Sequence, residues 1–81
     1  MSQWYKLLES ILEKDKNLRF EDLCKALERI GYQKEQPRSG SSHFTFRKKG
    51  CYPITIPKQQ PMRRVYIDAV SNAVRAFLEN E

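Results

Sequence analysis

The chain has 81 residues, 40% of them apolar and 31% charged, with a net charge of +5. A chain this short closes one core and hides only ~60% of its unfolded surface, which excludes a multidomain enzyme and predicts one domain over residues 1–81. No run approaches the ~20 apolar residues of a membrane span, and Met1 to Lys6 lack the layout of a signal peptide, so the expectation is a cytosolic protein with no membrane partner.

Trp4, Leu7, Leu8, Ile11 and Leu12 recur at helical spacing and predict a first helix over residues 3–14. Phe20, Leu23, Cys24, Leu27 and Ile30 form a second stripe, closed by Gly31 at the place where a helix takes a left-handed residue. Beyond Gly31 the period changes. Tyr32 to Gln36 and His43 to Lys48 read as strands separated by a turn-rich cluster from Pro37 to Ser42, and Tyr52 to Ile56 reads as a third, bracketed by Pro53 and Pro57. The prolines suit an edge strand or strand ends. Val65 to Leu78 returns to helical spacing. The expected fold is α+β, in the order α-α-β-β-β-α, with a three-stranded antiparallel sheet and the helices on one of its faces.

Alternation along the second strand turns Phe44 and Phe46 toward the helices, so His43, Thr45 and Arg47 project from the opposite face, with Thr55 near them. Phe44, Phe46 and Phe77 read as core, and Tyr5 and Tyr52 as the freer aromatic residues. The two cysteines, Cys24 and Cys51, with one histidine are too few for a structural zinc site, and two reduced thiols are expected, Cys24 within the core. No metal and no cofactor is expected.

Charge is distributed unevenly. Residues 1–36 carry seven Lys and Arg against seven acids, whereas residues 37–75 carry eight against Asp68 alone. Such an excess attracts an anionic partner, most simply nucleic-acid phosphate, with a solubilising face as the plain alternative.

His43 follows a Ser-Gly-Ser-Ser loop that offers backbone N–H groups and hydroxyls to a phosphate. An imidazole beside anion-binding groups suits RNA cleavage, because the 2′-hydroxyl is the nucleophile and the protein need only move protons and stabilise the phosphorane. In this reading Gly40, Ser41 and Ser42 hold the phosphate, and Arg47, Lys48, Lys49 and Lys58 bind the backbone. A Ser-His-Asp arrangement lacks acids near His43 and a nucleophile-elbow glycine pattern, and a Cys51–His43 pair across a hairpin competes with Cys51 as a small turn residue. Nucleotide-binding glycine loops are absent among three glycines.

Gly31-Tyr32, Gly40-Ser41-Ser42-His43-Phe44-Thr45-Phe46, Tyr52-Pro53-Ile54-Thr55-Ile56-Pro57-Lys58, and Pro61 before Arg63-Arg64-Val65-Tyr66-Ile67 together resemble the HicA toxin pattern over about residues 20–79. The resemblance implies a fold like the double-stranded RNA-binding domain over residues 19–81, with residues 1–18 as an N-terminal helical addition that packs on the domain or serves the antitoxin interface. It implies a metal-independent endoribonuclease that cleaves messenger RNA, belongs to a type II toxin-antitoxin pair and is silenced by a HicB-like antitoxin. The family's catalytic histidine falls on His43. Two departures stand out: Gln59 occupies the place where many relatives carry a second histidine, and two serines separate Gly40 from His43 where one is usual. The alternatives are a non-catalytic RNA-binding module and a catalytically decayed toxin kept for its partner.

Overall fold

The computed structural model describes residues 3–37 and 42–80. The first stripe forms helix α1 (Gln3–Leu12) and the second α2 (Phe20–Arg29); β1 (Gln33–Glu35), β2 (His43–Arg47) and β3 (Ile54–Pro57) follow, and α3 (Arg64–Glu79) closes the chain. The strands form one antiparallel sheet in the order β1-β2-β3, the α+β arrangement that the periodicities predict. No helix among the described residues is long and apolar enough to cross a membrane.

Helix α1 stops two residues before the predicted end because Lys14 adopts φ 56°. The Asp15 N–H then donates to the Ser10 carbonyl (3.0 Å) and the Lys14 N–H to that of Ile11 (3.1 Å), a Schellman closure without glycine. Helix α2 begins where the Arg19 N–H donates to the Asp22 carboxylate (2.9 Å), and Glu21 and Asp22 oppose the positive end of its dipole. It ends in the same closure around Gly31 (φ 107°), whose N–H reaches Glu28 O while the Tyr32 N–H reaches Leu27 O (2.9 Å). That bond commits Tyr32 to the helix cap, so β1 starts at Gln33 rather than at the predicted Tyr32.

Register fixes the two faces of the sheet. Phe44 lies opposite Ile56, and Phe46 opposite both Lys34 and Ile54, so these side chains share the helix side; Phe46 and Ile56 are fully buried, and Phe44 packs on Phe20 with ring centroids 5.1 Å apart. Ile67, Val70 and Val74 of α3 and Leu23, Ala26 and Leu27 of α2 complete the core. Helix α1 belongs to it as well: Ile11 is fully buried, the Arg75 guanidinium donates to Leu12 O (3.2 Å), and Lys14 pairs with Asp68 (3.5 Å). β3 is an edge strand, which accommodates Pro57 as its last residue without breaking a shared ladder.

Candidate functional site

The outer face of the sheet carries Gln33 and Glu35 from β1, His43, Thr45 and Arg47 from β2, and Thr55 and Pro57 from β3, as the pairing of these residues dictates. His43 is exposed at the start of β2 and lies opposite Pro57. One residue back, the Ser42 carbonyl accepts the Lys58 N–H at 2.8 Å, and the Gln59 N–H donates to Pro57 O at 3.1 Å. Ser42, His43, Lys58 and Gln59 therefore meet at one corner of the sheet although 15 positions separate His43 from Lys58. Gln59, whose carboxamide does not titrate near neutrality, stands at this corner where the HicA pattern places a second histidine.

The other predicted residues that the structure describes do not join them. Gly40 and Ser41 lie outside the described residues. Arg47 shares the outer face but stands four residues along β2, about 13 Å from His43 at the rise of an extended strand. Its guanidinium is held by Glu35 (2.8 Å), a diagonal neighbour across the β1–β2 ladder. Lys49 is exposed in the turn beyond, still farther from His43. Between Arg47 and His43 the Thr45 and Thr55 hydroxyls are hydrogen-bonded at 3.1 Å. Sequence reading missed Glu35, because its place opposite Thr45 depends on the register of a strand with no alternation of its own.

Lys48 leaves the predicted basic run altogether. Its ammonium donates to Ile30 O at 2.6 Å and sits 4.7 Å from the centroid of Phe77 and 5.8 Å from that of Tyr32. A cation thus satisfies a carbonyl at the end of α2 and tethers it to α3. The stem also explains the smallness of Gly31, since a Cβ there would meet Lys48 Cε at 3.2 Å as well as a positive φ. Lys48→Met keeps the apolar stem and removes the donor and the charge. It should cost about 2 kcal/mol, from a hydrogen bond to a charged group and a cation–π contact, and lower the melting temperature by roughly 10 °C. Thermal unfolding followed by circular dichroism checks it.

The two thiols are free, Cys24 buried and Cys51 exposed. Among the described residues no group of three or more His, Cys, Asp or Glu is placed to hold a metal ion. Burial pushes the Cys24 thiol from 9.0 up to about 11. The folded state thus favours the neutral thiol; that stabilisation is complete below pH 9 and is lost as the pH rises from 9 through 11. Tyr32, pushed up by burial and by its hydrogen bond with Cys51, adds to the same fall. In Cys24→Ala the fall of the denaturation midpoint between pH 9 and 11 should be shallower than in the unaltered protein, and urea titrations across that range measure it.

The backbone of Ser42 and Lys58 thus lies beside the exposed imidazole of His43 at one corner of the sheet. No family model, no curated protein and no solved structure matches the chain.

Proposed function

We propose that this protein is a HicA-like endoribonuclease, the toxin of a type II toxin-antitoxin pair acting on messenger RNA in the cytosol, with His43 as its catalytic group. The observation that carries the reading is the corner itself: the β2–β3 register brings the backbone of Lys58 and the Ser42 end of the predicted phosphate-binding loop beside an exposed histidine.

The chemistry follows from what the corner offers. The imidazole of His43 takes the proton of a ribose 2′-hydroxyl, the 2′-oxygen attacks the adjacent phosphorus, and negative charge develops on the non-bridging oxygens. In this proposal Lys58 and the Ser42 hydroxyl, whose backbones adjoin His43, stabilise that charge. The bond from phosphorus to the 5′-oxygen breaks, and the proton held by the imidazolium passes to the departing oxygen. One histidine can serve both transfers in succession, since the corner has Gln59 where a second acid would stand. The products are a 2′,3′-cyclic phosphate and a 5′-hydroxyl, with no added water consumed in this step.

Arg47 and Lys49, at the far end of the hairpin, serve neighbouring phosphates of the same strand rather than the one cleaved. A HicB-like antitoxin presenting an acidic surface would cover His43 and neutralise these cations.

The test is cleavage of an RNA oligonucleotide and of the same oligonucleotide with 2′-deoxyribose at the cut position, joined to induced expression of the chain in a bacterial host. Growth arrest, fragmented messenger RNA and cyclic-phosphate ends that vanish with the 2′-deoxy substitution support the reading. Salt-sensitive RNA binding without cleavage overturns it in favour of a non-catalytic RNA-binding module, since phosphate contacts alone weaken steeply with salt.

A further inference from the structure

The equal numbers of cations and acids in residues 1–36 conceal how the fold sorts them. Between α1 and α2 runs a groove of about 510 Å³. Its apolar surface comes from Trp4, Leu7 and Leu18, and its cations from Lys6 on one wall and Lys25 and Arg29 on the other. The Arg29 guanidinium lies 5.3 Å from the centroid of the Trp4 ring, which joins the two walls. Among the described residues none of Lys6, Lys25 and Arg29 forms an ion pair; the pairs present are Lys14–Asp68, Arg47–Glu35 and Arg64–Asp68. The one acid lining the groove, Asp22, already accepts the Arg19 N–H at the start of α2. Glu9, Glu13, Glu21 and Glu28 belong to the same two-helix region but do not line it.

An apolar trough between two helices, walled by three cations without carboxylate partners, is complementary to one kind of occupant. We propose that this groove docks an acidic amphipathic segment of a partner protein, which seats a large apolar side chain over Trp4, Leu7 and Leu18 and pairs its carboxylates with Lys6, Lys25 and Arg29. Seating a side chain on the apolar floor supplies the binding energy, and the flanking charges supply orientation and rate. Nucleic acid fits less well, because its phosphates gain nothing from the apolar floor, whereas a peptide offers an apolar side chain beside its carboxylates. The inference is independent of the role given to His43, which projects from the other side of the sheet.

Trp4 is the sole tryptophan of the chain, so its fluorescence and its indole N–H resonance report on the groove directly. The probe is a synthetic peptide of about 16 residues with leucines at the i, i+3, i+4, i+7 spacing and glutamates elsewhere, run against a scrambled peptide of equal composition and a single-stranded RNA of similar length. The patterned peptide should shift the Trp4 signals and bind at least about tenfold more tightly than the scrambled one. Lys25→Glu, and separately Lys6→Glu from the opposite wall, should each weaken it by about tenfold or more with the melting temperature kept, while His43→Ala binds as the unaltered protein does. Equal binding of the scrambled peptide, unchanged affinity in the charge-reversed proteins, or Trp4 signals moved by the RNA and not by the peptide overturns the proposal.

Discussion

His43→Ala is expected to lower RNA cleavage by about 10²- to 10⁴-fold, the range that a positioned acid or base contributes, and to abolish growth arrest on induced expression. Among the described residues the corner has no second group to take over: Lys58 is a cation, Gln59 does not titrate and Ser42 is a hydroxyl, so none replaces an imidazole in proton transfer. Stability should hardly move. His43 is exposed at the start of its strand, and substitutions at exposed positions ordinarily shift stability by about 0.5 kcal/mol or less. The purified variant should therefore melt within a few degrees of the unaltered protein and bind RNA with similar affinity. A folded variant that cleaves at the unaltered rate removes His43 from the mechanism and with it the single-histidine site proposed at this corner.

Phe46→Ala should have the opposite signature. Phe46 is fully buried in the central strand, with Lys34 and Ile54 as its cross-strand neighbours, so its ring fills the middle of the sheet's inner face. Removing a buried phenylalanine costs about 3–5 kcal/mol, through lost transfer energy and the cavity left behind. A chain of this length holds only about 4–12 kcal/mol in total, so the melting temperature should fall by 15 °C or more, and part of the population should be unfolded at 37 °C. The neighbouring Thr45→Ala is the control. Thr45 points to the outer face and loses only the hydroxyl pair with Thr55, so it should cost about 1 kcal/mol or less. Equal losses at positions 45 and 46 would mean that the strand does not present these two faces.

The two responses follow from one property of a strand, its strict alternation, and alternation is the part of this fold most open to sequence reading. His43-Phe44-Thr45-Phe46-Arg47 carries its own period, and each of the five stands on the expected face. The helical stripes were equally readable: Ile11, Leu23, Leu27 and Val74 are buried as the spacing asks, and only toward the end of the last stripe is Leu78 exposed. Boundaries were less so. The end of α1 depends on Lys14 in a left-handed conformation, which nothing in its residue type announces, whereas the end of α2 at Gly31 was legible because glycine adopts that conformation without strain.

The candidate site divides along the same line. An exposed histidine on the outer face was available from local periodicity alone, as were a basic second half of the chain and a motif resemblance that singles out His43. Which cations accompany it was not. Lys48 follows Arg47 directly in the sequence, yet it turns inward to Ile30 O and the rings of Tyr32 and Phe77, while Lys58 arrives at the His43 corner through a backbone bond to Ser42. Glu35 holds Arg47 only because of cross-strand register, and Lys6, Lys25 and Arg29 gather around one groove only because α1 and α2 pack side by side. By itself, then, the amino-acid sequence determined the elements, the inward faces and the accessible histidine, since these depend on residues a few positions apart. The neighbours of each charge were decided by tertiary structure, because a long, flexible cationic side chain takes its partner from whatever carbonyl, ring or carboxylate the packed chain brings within reach.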